Sequence, residues 1–331
     1  MKTIGDIRYS CIPALENDVN DWYSFAGPVH VRYVTFSENV TYVVTNEAGE
    51  KIGIISLHRP GYHTVGELCD ELLWMDEVRQ ETDVTVPAVY RDKTGHFLRP
   101  LVIPHMPRLY YSMFAFVPGK TLETMGDCSE TVAKQIGRMA AQLHEQAKRR
   151  ARKRQKLDCF TWDIPELLGK QARWGSFMAY PAQETQKRLL RQAADKICYH
   201  LEEYGRNERN YFLIHADLHA GNLLVQGDTV TLIDFDDCGY SWFLYDLGSF
   251  LSRQNEHLTE WIDNWCTGYE YVAPLRAQDI AMIPSFLVLR RLVRLGWLAS
   301  HRGNDVADEK DTQYLDMTVT LADRYVHSGH I

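Results

Sequence analysis

The chain has 331 residues, of which 45% are hydrophobic, with 36 lysines and arginines against 44 aspartates and glutamates for a net charge of −8. That is enough apolar material for one large or two modest domains with a sizeable core, and the acidic balance argues against a general binder of nucleic acid or of anionic membrane. The residues Met1-Lys2-Thr3-Ile4-Gly5-Asp6-Ile7-Arg8 hold no apolar core of signal-peptide length, and charge interrupts every later apolar run well short of a membrane span, so a cytoplasmic location is expected. The seven cysteines form no C-x-x-C pair, so neither a disulfide framework nor a zinc ribbon is suggested; Cys238 reads as an inert buried thiol.

In chain order, residues 29–36, 40–46 and 51–57 read as three strands, the last two joined by the turn cluster Asn46-Glu47-Ala48-Gly49-Glu50. Residues 66–80 place Leu68, Leu72, Trp74, Met75 and Val78 at helical spacing, and 86–90 and 109–117 supply further strands. Pro118-Gly119 breaks the last of these. Beyond it, 129–148 and 182–204 read as long helices. The expectation is an α+β chain, with a small β-rich lobe over 1–117 and a larger, mainly helical lobe over 118–331.

Tyr211-Phe212-Leu213-Ile214 suits a buried strand. Past it stands His215-Ala216-Asp217-Leu218-His219-Ala220-Gly221-Asn222, an H-x-D-x-x-x-x-N pattern. Leu223-Leu224-Val225 and Thr229-Val230-Thr231-Leu232-Ile233 then form a hairpin around Gln226-Gly227-Asp228, which returns Asp234-Phe235-Asp236 beside Asn222. Phosphoryl transfer needs one carboxylate to orient a hydroxyl and take its proton, and an amide with a second carboxylate to hold Mg²⁺ against phosphate. Asp217, Asn222 and Asp234 have the types and spacing for those roles.

These motifs resemble the catalytic loop of the aminoglycoside phosphotransferase and choline kinase superfamily, which has a bilobal protein-kinase-like fold. Ser37-Glu38-Asn39, His58-Arg59-Pro60-Gly61-Tyr62-His63, Asp236-Asp237 and Tyr245-Asp246-Leu247 are most similar to the branch containing type II homoserine kinases and the bacterial stress-response kinase A. The likeness runs from about residue 35 to about residue 301. It implies ATP and Mg²⁺ as cofactors, nucleotide binding by the first lobe, and the catalytic loop and acceptor site in the second.

The same resemblance makes Glu71 the helix acid that pairs with a third-strand cation, or else an exposed helix carboxylate. It also puts Ser56 where lysine or arginine is expected. His58 shares the Ser56 face by strand alternation, so it becomes the candidate replacement. Asn39, with Ser37, is a candidate phosphate contact in place of a glycine-rich loop, or an ordinary hairpin turn. The backbone of Ala115 to Val117, with Phe116 between them, is a candidate adenine contact, or simply part of a buried strand. Asp246 is read as a brace of the catalytic loop or a helix cap, His215 as loop support, and His219 as structural or near the phosphate. Asp236 and Asp237 are metal or substrate contacts, or solvated loop acids.

Gly119-Lys120-Thr121 fails the Walker-A pattern, because Phe114 stands where glycine is required. The basic run from Lys148 to Arg154 reads as a solvated face, and Arg290, Arg291 and Arg294 as packing salt bridges on a helix. A hydrolase metal site of His215, Asp217, His219 and Asp234, and a catalytically silent binding module, are the rival classes. No room for an activation segment lies between Asp234 and Asp246, which favours a small hydroxyl acceptor (an amino alcohol, homoserine-like compound or aminosugar) over a serine or threonine of a protein. No obligate protein partner is implied.

Overall fold

The computed structural model describes residues 7–103, 106–126, 129–152, 156–254, 256–301 and 311–328. It divides into two compact units, Met1–Glu81 with Thr85–Gly119, and Thr82–Val84 with Lys120–Ile331.

Unit 1 comprises helix α1 (Ile12–Trp22), strands β1 (Val29–Phe36), β2 (Val40–Asn46) and β3 (Lys51–His58), helix α2 (Val65–Glu81), and strands β4 (Leu98–Leu101) and β5 (Leu109–Ala115). The strands form one antiparallel sheet in the order β1-β2-β3-β5-β4. Period-two alternation sends Ile55 and Leu57 into the core with Val40, Tyr42, Val44, Tyr111 and Met113, packed with Leu15 and Val19 of α1. The alternate row of β3 carries Ser56, paired with Thr41 and Ser112. Thr64 and Glu67 close a reciprocal capping box that starts α2. Arg99 ties the sheet to α1, bonding both Asp18 and Asp92, and the hydroxyl of Tyr111 donates to Asp18 at 2.7 Å.

Two expectations for this unit need correction. Residues 86–90 form no strand: β4 occupies the edge of β5, and only an isolated bridge joins Val89 to Phe114. The expected strand 109–117 ends at Ala115. Helix α1 and strand β4 had no reading in the sequence.

Unit 2 holds β6 (Lys120–Thr121), α3 (Leu122–Met125), α4 (Glu130–Ala151), β7 (Phe160–Thr161), α5 (Ile164–Leu168), α6 (Glu184–Tyr204), β8 (Tyr211–Ile214), β9 (Leu223–Gln226), β10 (Thr229–Leu232), β11 (Gly239–Trp242), α7 (Leu244–Leu251), α8 (Leu258–Glu270), α9 (Ala277–Ser300) and α10 (Asp311–Ser328). Its strands make two small sheets, ordered β10-β9-β6 and β7-β11-β8. Close helix packing positions the rest. A Cβ on Gly248 would lie 2.5 Å from the carbonyl oxygen of Phe286, so glycine lets α7 lie directly against α9. The basic run begins in the last turn of α4, where Lys148 pairs with Glu145 and Arg150 is buried, while Arg149 and Arg152 are exposed as a solvated face requires. Lys153 and Arg154 of that run lie outside the described residues, as does Cys128. Among the described residues no helix is long and apolar enough to cross a membrane.

Candidate active site

β8 ends at Ile214, and the chain leaves the sheet in an irregular loop before a 3-10 turn, Ala220–Asn222, and β9. Ala216 sits at φ +66°, a left-handed conformation that costs a non-glycine residue about 1–2 kcal/mol. Asp246 compensates. This fully buried carboxylate in the first turn of α7 accepts hydrogen bonds from the backbone N–H of Ala216 at 2.8 Å and of His215 at 3.3 Å. Its third partner is the Nε2–H of His144, at 2.9 Å. The His144 ring stacks on Phe243 at 4.5 Å, and its Nδ1 lies 2.9 Å from the hydroxyl of Tyr269, which completes the tautomer by donating. Burial lowers the pKa of His144 more than Asp246 raises it, so the imidazole is neutral at pH 7.

His215 holds the loop from inside. Its Nδ1 accepts from the backbone N–H of Asp217 at 3.3 Å, and its Nε2 donates to the carbonyl of Ile233 at 3.2 Å. The loop is thereby tied to the residue just before Asp234.

Asp217 is engaged on both carboxylate oxygens. Arg290 donates to Oδ1; His219 Nε2 lies 3.3 Å from Oδ2, and the side-chain amide of Asn222 donates to Oδ2 at 3.2 Å and to the backbone oxygen at 3.0 Å. Burial alone would raise this carboxyl's pKa, but His219 and the Arg290 guanidinium reverse the balance and hold it well below the usual carboxylate range. His219 is lowered by its own burial, which leaves Arg290 as the full positive charge on Asp217. The Nδ1 of His219 accepts from the N–H of Gly221 at 2.9 Å, an approach that requires glycine: a Cβ there would stand 2.6 Å from the imidazole.

Asn222 gives its amide N–H to Asp217, which leaves its carbonyl Oδ1 available as a ligand. The N–H of Ile233 bonds the backbone oxygen of Asn222 at 3.0 Å, so Asn222 and Asp234 stand at adjacent ends of the β9–β10 hairpin. Asp234 is exposed, at φ +63°. One amide oxygen and one carboxylate fit a hard cation that takes its remaining ligands from phosphate and water. Among the described residues no group of three or more His, Cys, Asp or Glu could hold a metal, and His215 is committed to Ile233, so the hydrolase-type site is not assembled. Asp236 and Asp237 are both 8% exposed, which excludes solvated loop acids.

Arg290 is the residue of this site that the sequence did not disclose; the expected role was a packing salt bridge. It projects from α9, 4% exposed, bonds Ser249 Oγ through Nε at 3.3 Å, and lies 4.7 Å from the ring of Trp174. His144 was likewise missed. An arginine in an otherwise apolar helix was the available signal for the first, and nothing local marked the second.

In unit 1, Asn39 Oδ1 accepts from the N–H of Arg59 at 3.0 Å, while Arg59 pairs with Glu38 at 2.6 Å and rests on Tyr62, so the turn holding Ser37 and Asn39 is fastened to the segment after β3. Ser56 and His58 share a face, with His58 Nε2 3.0 Å from Ser112 Oγ. Glu71 is 6% exposed, which excludes the surface carboxylate. Phe116 N–H bonds the carbonyl of Ile52 at 3.1 Å, and Val117 is partly exposed. Lys120 and Thr121 form β6 against β9, with Thr121 capping α3, a use unrelated to phosphate binding.

The sequence profile of the phosphotransferase enzyme family matches residues 35–280. A solved structure of a microcompartment-associated aminopropanol kinase is 33% identical, with a TM-score of 0.83 over 96% of this chain and 98% of that one. Amicoumacin kinase of Bacillus subtilis is 28% identical over 55% of this chain, and the match spans only 54% of that kinase. Stress response kinase A of Salmonella paratyphi A is 22% identical over 84% of this chain and 79% of its own length.

Proposed function

The chain belongs to the phosphotransferase enzyme family and is a kinase with a hydroxyl acceptor, and from that premise we propose that it moves the γ-phosphate of ATP, with Mg²⁺, to the hydroxyl of a small molecule. The observation that carries this reading is the arrangement at Asp217: a partly open carboxylate, kept ionised beside Arg290, bonded to the amide of Asn222, which adjoins Asp234. Asp217 is the base that orients the acceptor hydroxyl and takes its proton. Asn222 and Asp234 would hold Mg²⁺, which when bound neutralises charge on the β- and γ-phosphates. Asp246, His144 and His215 fix the loop geometry on which that proton transfer depends. Ser37, Asn39, Ser56, His58, Glu71, Phe116 and Val117 are the proposed nucleotide residues of unit 1, and Asp236 and Asp237 support the metal and acceptor side of unit 2.

Small-molecule acceptors are favoured by the aminopropanol and amicoumacin kinases among the relatives. A relative from Salmonella typhimurium that is named a serine/threonine protein kinase, 22% identical over 84% of this chain, keeps a protein serine or threonine as the second reading. Against it, every residue from Phe235 to Phe250 is buried, which leaves no exposed platform for a peptide.

Calorimetric titration of ATP with and without Mg²⁺ tests the metal assignment. Wild type should gain affinity with Mg²⁺ and Asp234→Ala should lose that gain; equal affinity under all four conditions would contradict it.

A further inference from the structure

Three buried hydrogen-bond donors cluster near Arg290 with no acceptor among the described residues. Arg294 lies one turn along α9 from Arg290 and is 8% exposed, and its Nε is buried with no hydrogen-bond partner among those residues; its guanidinium carbon is 5.3 Å from the ring centroid of Tyr314 and 5.9 Å from that of Trp297. The hydroxyl of Tyr314 is buried without a partner, and so is that of Tyr245, whose ring lies 5.8 Å from the guanidinium of Arg290. Burial and the neighbouring Arg253 draw Arg294 down to about 10, so it is still a cation at neutral pH. Arg253 is itself committed to Glu123, and Arg290 to Asp217.

A buried cation without a counter-charge is costly, and buried polar groups are as a rule satisfied. Arginine offers only donors, in a planar fork that matches a carboxylate. The two phenols can add donors to the same anion. These groups lie around Arg290, whose guanidinium donates to the carboxylate of Asp217.

We infer that the acceptor carries a carboxylate beside its hydroxyl, bound by Arg294 and the hydroxyls of Tyr314 and Tyr245 while the hydroxyl faces Asp217. The inference rests on the phosphotransferase reading above and narrows its acceptor to small hydroxy acids, of which hydroxyamino acids are the nearest in kind to an amino alcohol. In the step, the acceptor hydroxyl oxygen bonds to the γ-phosphorus, the bond from that phosphorus to its bridging oxygen breaks, ADP leaves with the electron pair, and Asp217 takes the hydroxyl proton.

Initial rates with ATP and Mg²⁺ test this on three pairs that differ only in the carboxylate: L-serine and ethanolamine, L-threonine and 1-amino-2-propanol, L-homoserine and 3-amino-1-propanol. In at least one pair the carboxylated member should have a kcat/KM about tenfold higher or more, since a site built to bond a polar group discriminates against the analogue that lacks it. Arg294→Gln should reduce that preference about tenfold through KM, with partial rescue in Arg294→Lys. Tyr314→Phe, which keeps the ring against Arg294, should reduce it less and guards against a folding defect in the arginine variant. Better turnover of the amino alcohol in all three pairs overturns the inference but leaves the phosphotransferase reading standing. An unchanged ratio in both Arg294→Gln and Tyr314→Phe overturns it as well. No turnover of any of the six, with no binding of ATP, overturns both.

Discussion

The guanidinium of Arg290 donates to Oδ1 of Asp217, 73 residues earlier in the chain. The contact joins α9 to the loop after β8, and Ser249 and Trp174 fix the arginine that makes it. A carboxylate held this way is oriented and ionised, so it can accept a hydrogen bond from the acceptor hydroxyl and aim it at the phosphate.

Arg290→Met should therefore lower kcat by on the order of 10²-fold, the scale of misplacing a catalytic group, with little effect on the KM for ATP. Steady-state kinetics on the true acceptor check this, and an unchanged kcat would show that Asp217 needs no such anchor.

Asp246 accepts from two backbone donors and His144, and in Asp246→Asn an amide N–H would face at least one of them. The variant should lose about 1–3 kcal/mol of stability, the cost of an unsatisfied buried group, and its kcat should fall more than its ATP affinity. Denaturant unfolding and kinetics measure the two effects separately.

The pH dependence of stability follows from His144. Its folded pKa is depressed by burial, so between that value and about 6.5 the unfolded chain binds the extra proton. The stability contributed by the neutral imidazole is complete above pH 6.5 and is lost as pH falls below it. Tm should drop between pH 7 and pH 5, and the drop should be shallower in His144→Gln; equal slopes would remove His144 from the account.

Ser56 cannot neutralise phosphate, and His58 is its neighbour on the same strand face. His58→Ala should weaken ATP binding or turnover, while Ser56→Lys should leave activity intact or raise it by restoring a cation for Glu71. Loss of activity in Ser56→Lys with no effect of His58→Ala would remove both residues from nucleotide binding.

The hairpin and the Asp217 loop were legible because spacing is local: turn residues at Gln226-Gly227-Asp228 between two β-rich runs define the register that brings Asn222 to Asp234. Strands β1, β2, β3 and β5 of unit 1 were legible from their β-rich runs and the turn residues between them. Strand β4 escaped because Arg99 and Pro100 interrupt it, and proline is tolerated there only because β4 is an edge. Residues 86–90 reach the edge of β5 beyond β4 through the single Val89–Phe114 bridge, and Pro87, which has no backbone N–H to give, keeps them from a longer ladder. The fastening of the loop by Asp246, His144 and Arg290 spans 30 to 102 residues of sequence separation, and no periodicity reports a contact of that range.

The most direct measurement of the central claim compares wild type with Asp217→Asn for phosphoryl transfer from ATP, followed by phosphorus NMR, alongside calorimetric ATP affinity. The account predicts a fall in kcat of on the order of 10² or more with ATP affinity nearly unchanged, because the base acts in the transition state. Near-full turnover by Asp217→Asn would contradict it and place the base elsewhere.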